Sequence, residues 1–183
     1  MKNYKKNLHL LKENNVYSED MEHDACGVGI IASTEGKKSR KVVEYGIEAL
    51  KAVWHRGAVD ADGKTGDGAG IHVEIPKDFF IEKIEVTGHT HDNSEICVGM
   101  IFLPRNDYAA QESCKTIVES ELTKNDFSIY GWRQVPVNPK VLGEKAFQTM
   151  PEIIQVLFKS NNPELLNKDL ERKIYETRRI IEN

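Results

Sequence analysis

The amino-acid sequence changes character abruptly at Cys26. Residues 1–25 are polar, mix acids with bases, and contain no apolar core of the kind that a secretory signal peptide needs. From Cys26 onward, short apolar runs and helical patterns follow one another, beginning with CGVGIIA at residues 26–32. We therefore expect a leader at residues 1–25 and a folded domain at residues 26–183, a length typical of a single domain.

The pattern after Cys26 predicts a mixture of strands and helices. Short apolar runs bounded by turn residues predict strands at residues 26–32, 70–75, 96–103, 127–137 and 153–158. The strand at 96–103 is expected in the centre of its sheet. Apolar residues at helical spacing predict helices at residues 40–54, at 107–123 and from Asn162–Pro163 onward. Because the last helix has no stop signal before Asn183, we expect the chain to be cut rather than finished.

Composition excludes several classes of function. A net charge of −4 gives no basic face for nucleic acid, and no apolar run approaches the roughly 20 residues that cross a bilayer. The three cysteines form no C-x-x-C pair, which argues against a disulfide scaffold and against a four-cysteine metal site. We expect a soluble cytoplasmic protein that binds neither nucleic acid, nor membrane, nor metal.

Cys26 is the candidate reactive cysteine. A cysteine at the start of a buried strand is more often an inert packing residue. Cys26, however, stands at the border of the leader between Ala25 and Gly27, whose small size leaves room beside the sulfur. Cys97 falls within a predicted strand and Cys114 on the inner face of a predicted helix, so inert packing is expected for both.

Residues 57–70 hold five of the thirteen glycines of the chain. The end of a phosphate-binding P-loop is present at Gly63-Lys64-Thr65, but Ala58 occupies the position of its first glycine. An EF-hand loop is excluded as well, because Asp60 and Asp62 do not match its register. An ordinary flexible connection is one alternative. The other is a loop whose backbone approaches a ligand or another segment closely.

The segment HRGA at residues 55–58 follows a predicted helix face. It fits a solvated helix end, where cations interact favourably with the helix dipole. It also fits a site in which the rigid guanidinium of Arg56 fixes a carboxylate or a carbonyl. Spacing alone does not choose between these two interpretations.

Several separated motifs together resemble one known family. They are DACGVG at 24–29, HRGA at 55–58, TGDGAGI at 65–71, GMIFLP at 99–104, GWRQVP at 131–136 and ERKIY at 171–175. In order and spacing they resemble the amino-terminal segment of the large subunits of glutamate synthases, which is a class II glutamine amidotransferase domain. The motifs TGDGAGI and GWRQVP weigh against the purine-forming and glucosamine-forming enzymes of the same class.

The resemblance implies an α+β fold of the N-terminal-nucleophile hydrolase type. This is a four-layer αββα sandwich with two antiparallel sheets between helix layers, here incomplete at the C-terminus. It also implies that the leader is removed, so that Cys26 becomes the nucleophile and its own α-amine the base. Arg56 would hold the geometry of the site, the carbonyl of Gly57 would orient the amine, and residues 66–70 would form a wall. The oxyanion hole and the residues that bind glutamine are expected beyond Asn183.

The function implied is the glutaminase part of a glutamate synthase, in nitrogen assimilation and glutamate biosynthesis. Glutamine would be hydrolysed through a cysteine thioester, and the ammonia would aminate 2-oxoglutarate in domains outside this chain. FMN and an iron–sulfur cluster would belong to those domains, with no cofactor in this segment. The partners would be glutamine, the rest of the synthase chain, and a small subunit or ferredoxin, the electron donor being ferredoxin or NAD(P)H.

The alternative is a non-catalytic truncated remnant or binding domain of the same fold. Losing oxyanion donors typically costs about 100- to 1000-fold in rate. Because those donors are expected beyond Asn183, we expect the isolated chain to be inactive.

Overall fold

The computed structural model describes residues 2–14 and 27–183. The chain forms two compact units, the first comprising Met1–Ala58 and Ala69–Ile71 and the second Val59–Gly68 and His72–Asn183. The predicted boundary between leader and domain, at residues 25 and 26, lies outside the described residues and stays a prediction.

The described residues of the first unit form two helices and a short 3-10 turn. Helix α1 spans Lys2–Glu13 and helix α2 spans Arg40–Ala52. The 3-10 turn Trp54–Arg56 follows α2. The helix predicted at 40–54 is confirmed almost to the residue, with Ser39 at its N-cap position. Helix α1 was missed, because its few leucines show no strong helical period.

The second unit is built around a three-stranded antiparallel sheet. Its strands are β1 (Cys97–Leu103), β2 (Phe127–Gln134) and β3 (Glu152–Ser160), in the order β1-β3-β2. The prediction that 96–103 is the central strand is wrong, because β3 occupies the centre. The burial patterns explain the arrangement: residues 154–158 of β3 are buried without interruption, whereas burial along β1 is broken by exposed Met100 and Phe102.

Helices cover the two faces of this sheet unequally. They are α3 (Lys77–Val86), α4 (Tyr108–Lys124), α5 (Glu144–Thr149) and α6 (Asn167–Ile181). On one face, residues of α4 and α6 pack with Val156 of β3 in a core formed by Cys97, Val118, Leu122, Phe127, Val156, Phe158 and Leu170. On the other face, Leu157 packs with α3 in a smaller core formed by Phe80, Ile84, Ile96, Tyr130 and Leu157. Consecutive strand residues point to opposite faces, so Val156 and Leu157 serve different cores.

Helix α4 begins where the sequence predicts it, whereas the last helix begins later than predicted. Asp107 caps α4 as its position suggests, accepting a hydrogen bond from the Ala110 amide at 2.9 Å. Asn162, predicted to start the last helix, instead closes a separate turn by accepting from the Glu164 amide at 2.9 Å. Helix α6 begins five residues later, at Asn167, and it ends at Ile181.

The strands predicted at residues 26–32 and 70–75 are not strands in the described part of the chain. Residues 27–33 and 69–75 have no assigned secondary structure, and the side chains of Val28 and Ile30 are 94% and 90% exposed. A strand needs a hydrogen-bonded neighbour, and the described residues supply none to either segment. Both segments are apolar in sequence, but the prediction that they form paired strands is wrong.

The fold class is α+β, as predicted, since helices pack on an antiparallel sheet that is the only sheet among the described residues. No helix among the described residues has the length and apolar character to cross a bilayer.

Candidate active site

The three residues predicted to do the chemistry are described unequally. Cys26 and the side chain of Arg56 lie outside the described part of the structure. The backbone of Arg56 ends the 3-10 turn, and Gly57 follows as its C-cap, with its amide donating to the Trp54 carbonyl at 3.0 Å. Arg56 and Gly57 thus end the 3-10 turn that follows α2. Their proximity to Cys26 stays a prediction.

The backbone conformation at position 57 does not require a glycine. Its φ of −84° and ψ of 148° are open to any residue, and among the described residues a Cβ there would meet only the Trp54 carbonyl oxygen, at 3.4 Å. Gly57 is also exposed. A bare backbone at an exposed and unstrained position is what a site needs if another group must approach the main chain closely.

The glycine-rich segment that follows is a closed turn rather than a flexible connection. Val59 pairs with Gly66 in an isolated antiparallel bridge. Inside it, the Asp60 amide donates to the Thr65 carbonyl at 2.7 Å, and the Gly63 amide donates to the Asp60 carbonyl at 2.9 Å. Gly63 has a φ of +69°, a conformation that favours glycine. The backbone of the loop is thus held by its own hydrogen bonds.

Asp62 is the residue that sequence reasoning missed in this loop. Its carboxylate accepts hydrogen bonds from the Lys64 amide at 2.9 Å, the Thr65 amide at 2.7 Å and the Thr65 hydroxyl at 2.6 Å. A fourth bond comes from the Glu144 amide at 3.1 Å. These bonds, the Thr65 hydroxyl first, hold the pKa of Asp62 well below its ordinary value. An aspartate three residues before a threonine is a common turn pattern, so the contact between Asp62 and Thr65 could have been predicted from the sequence.

A second network of shifted pKa values lies elsewhere in the second unit. Asp92 pairs with Lys159 and accepts from the Ser94 hydroxyl at 2.6 Å and from the Tyr130 hydroxyl at 3.3 Å. The hydrogen bond from Lys159 lowers the pKa of Asp92, and the same contact raises the pKa of Lys159. Burial raises the pKa of Tyr130. Shifted pKa values often mark functional sites. Here the groups with shifted pKa values contact one another, and these contacts connect the 92–94 loop to β2 and β3.

Of the two described cysteines, Cys97 is poorly suited to act as a nucleophile. Cys97 is buried in the core, and this burial, followed by the nearby Glu95 and Glu171, raises the pKa of its thiol to about 12. A thiol with such a pKa is almost never a thiolate near neutral pH, in agreement with the inert packing predicted for it. Cys114 is half-buried on α4.

The described residues contain no group of three or more His, Cys, Asp or Glu side chains that could hold a metal ion.

Comparison with known proteins identifies the family. A profile of the family described as "Glutamine amidotransferases class-II" matches residues 26–183. The large chain of the NADPH glutamate synthase of Azospirillum brasilense is 52% identical over 179 residues, which are 98% of this chain and 12% of that protein. The chloroplastic ferredoxin-dependent glutamate synthase 2 of Arabidopsis thaliana is 39% identical over 175 residues, covering 94% of this chain and 11% of that protein.

A third relative gives the same result. The ferredoxin-dependent glutamate synthase of Pyropia yezoensis is 39% identical over 175 residues, covering 94% of this chain and 11% of that protein. The chain thus spans only 11–12% of the length of these relatives, and the match confirms the resemblance inferred from the motifs. The chain belongs to the class II glutamine amidotransferase family.

Proposed function

We propose that this chain is the glutaminase part of a glutamate synthase. The thiolate of Cys26 attacks the side-chain amide carbon of glutamine, a thioester forms, and the amide nitrogen leaves as ammonia after taking up a proton. Water then cleaves the thioester, which gives glutamate and restores the thiol. The observation that carries the proposal is the family match, which begins at Cys26 and continues to Asn183.

The base in this mechanism is the α-amine of Cys26 itself. A free α-amino group titrates near ~8, close to working pH, whereas the nitrogen of an amide bond is not basic there. Removing residues 1–25 creates this amine and also clears the space beside the sulfur. The start of the family match at Cys26 supports this division of the chain into a leader and a domain.

Arg56 and Gly57 complete the part of the site that this chain supplies. The carbonyl of Gly57 accepts a hydrogen bond from the Cys26 amine and so orients it, and Arg56 holds the surrounding geometry. The exposed backbone of Gly57, which its local structure leaves free of strain, supports this assignment. Residues that bind glutamine, and the donors for the oxyanion, belong to sequence beyond Asn183.

The four-layer sandwich implied by the family is the proposed complete fold. The sheet face packed against α3 supports it, because Met100 and Phe102, which share that face with Val98, are 49% and 63% exposed. An apolar sheet face of this kind is normally covered. The second antiparallel sheet of the sandwich packs on this face in the proposed fold.

The ammonia aminates 2-oxoglutarate in the remainder of the synthase, where FMN and an iron–sulfur cluster belong. The partner in electron supply is a small subunit or ferredoxin, since the relatives include one enzyme named for NADPH and others named for ferredoxin. A cytoplasmic location is part of the proposal, although the Arabidopsis relative is chloroplastic. No observation favours the non-catalytic alternative.

A chimeric synthase tests the proposal, with this chain replacing the matching residues of the Azospirillum brasilense large chain. We expect the Cys26→Ala variant to lose glutamine-dependent glutamate formation and to keep ammonia-dependent formation, because only the nucleophile is removed. Cys97→Ala and Cys114→Ala serve as matched controls that keep both activities. Glutamine-dependent turnover in the Cys26→Ala variant would show that the nucleophile has been assigned wrongly.

A further inference from the structure

An open cleft of about 570 Å³ lies in the second unit, where β2 begins and β3 ends. The polar residues that line it include His89, Thr90, Ser128, Tyr130, Lys159 and Asn161. Lys159 supplies a positive charge, and no aspartate or glutamate of the described residues lines the cleft. The cleft therefore differs in charge from the chain as a whole, which contains 29 acidic and 25 basic residues.

The antiparallel pairing of β2 with β3 brings three of these side chains together. Ser128 is directly opposite Lys159 in the register, and residues paired in this way have Cβ atoms about 5 Å apart on one face of the sheet. Asn161 follows two residues after Lys159, the spacing that returns a side chain to the same face, and its Oδ1 accepts a hydrogen bond from the Ser128 hydroxyl. Ser128, Lys159 and Asn161 therefore form one polar cluster at the end of the sheet.

This cluster keeps hydrogen-bond donors that the described residues do not use. Because Ser128 bonds to the oxygen of the Asn161 amide, the two N–H groups on its nitrogen have no partner in the described part of the chain. The same holds for the Thr90 hydroxyl. Lys159 has three N–H donors, of which Asp92 accepts one. Asp92 lines a separate cavity, whereas Lys159 lines the cleft.

The hydrogen bonds of Thr87 determine where the ring of His89 carries a proton. The Thr87 hydroxyl donates its single proton to the Ile84 carbonyl at 2.6 Å. Towards Nδ1 of His89, at 3.1 Å, the hydroxyl can therefore only accept, so Nδ1 carries a proton in the neutral ring as well as in the charged one. Nε2 of His89 has no partner among the described residues, and in the charged ring it adds a further N–H to a residue that lines the cleft.

We propose that this cleft binds a small oxyanion, the carboxylate or phosphate group of a ligand, through Lys159, Asn161 and Thr90. Hydrogen bonds from an ammonium group to a carboxylate or a phosphate are of the strong, charge-assisted kind. The amide and the hydroxyl supply the further donors that a group with only acceptor atoms needs. A volume of about 570 Å³ also falls in the range of small-molecule sites. The inference stands independently of the proposed function, because it uses none of the residues assigned there.

Three substitutions change the cleft in different directions. In Asn161→Asp the new carboxylate can still accept from Ser128, but it has lost both N–H donors and places a negative charge beside the bound anion. Asn162→Asp is the matched control, because it adds the same charge one residue further on, where the side chain accepts from the Glu164 amide and lines the other cavity. Asp92→Asn acts in the opposite direction, since it removes the carboxylate that competes with the anion for Lys159.

Titration of the ¹⁵N-labelled chain with inorganic phosphate, at an ionic strength held constant with NaCl, tests the proposal by NMR. We expect saturable shifts of the backbone amide signals at residues 89–90 and 159–161. The affinity for phosphate should fall at least about tenfold in Asn161→Asp, the size expected when hydrogen bonds to a charged group are lost. It should rise about two- to fivefold in Asp92→Asn, as for the release of an exposed ion pair, and stay unchanged in Asn162→Asp. A parallel titration with succinate distinguishes a carboxylate from a phosphate as the preferred group.

Shifts that grow with phosphate and succinate without saturating would overturn the proposal. Saturable binding that Asn161→Asp leaves unchanged, or that Asn162→Asp weakens by the same factor, would overturn it as well. If Asn161→Asp does not fold, Asp92→Asn decides the matter, because an unchanged or weaker affinity there would contradict the role assigned to Lys159.

Discussion

Asp62 and Asp92 each fasten a loop within the second unit, but they use different partners. Asp92 pairs with a cation, Lys159, and stands beside the buried Tyr130. The hydrogen bonds of Asp62 come from three backbone amides and one hydroxyl, and its loop meets a short surface helix. Both pKa values are lowered, yet only one network is attached to a core. The comparison teaches that the same lowering of a carboxylate pKa can come from a cation beside a core or from backbone amides in a surface loop.

The largest expected effect follows from the core beneath the Asp92 network. Leu157 is fully buried and shares its cluster with Tyr130. Replacing Leu157 by Ala should reduce the free energy of unfolding by about 2–5 kcal/mol, since it leaves a cavity in the central strand. Urea denaturation measures this loss. A change as small as that of a surface substitution, such as Glu85→Ala, would mean that the core on the α3 face carries little of the stability.

A smaller effect separates the two networks directly. Asp92→Asn should reduce the free energy of unfolding by about 1 kcal/mol, because Lys159 loses its ionic partner while part of the hydrogen bonding survives. Asp62→Asn should change local hydrogen exchange at Glu144 and leave the urea midpoint nearly in place. Equal shifts of the urea midpoint in Asp62→Asn and Asp92→Asn would contradict the distinction between a network attached to the core and one that holds a surface loop.

The smallest effects concern pH and salt. Both carboxylates have folded-state pKa values below the ordinary 3.8. Their stabilisation is thus fully present above that value and is lost as pH falls through the lower folded-state pKa. The stability difference between the native chain and its Asp92→Asn variant should therefore shrink on acidification below about pH 4, and so should the difference in hydrogen exchange at Glu144 between the native chain and Asp62→Asn. At neutral pH, 1 M NaCl should diminish only the Asp92 difference, since salt screens an ion pair. Equal salt sensitivity of the two variants would contradict the assigned partners.

Sequence predicted the elements of this fold where the signal was local. Strands β1, β2 and β3 coincide with apolar runs, and α4 begins beside its capping residue Asp107. Helix α3 was missed although Phe80 and Ile84, spaced four apart, mark its buried face. The sequence analysis assigned no element to residues 77–86, although this helical spacing is visible there.

Other features could not be derived from one sequence. An apolar segment such as 27–33 shows that it can be buried but not what pairs with it. The bond between Asp62 and Glu144 joins residues 82 positions apart, and no local pattern encodes such a partner. For the candidate site, motif resemblance selected Cys26, Arg56 and Gly57, and their roles are still predictions. The closed, anchored form of the glycine-rich loop emerged only from the structure.

Strand β1 has a practical consequence for handling this chain. It lies at the edge of the sheet, and among the described residues nothing pairs with its outer side. Its sequence, CVGMIFL, carries no charge and no proline, and Met100 and Phe102 are exposed on it. Edges of this composition are templates for strand addition between molecules. Self-association of the purified chain should therefore grow with concentration, and the substitution Phe102→Lys should suppress it.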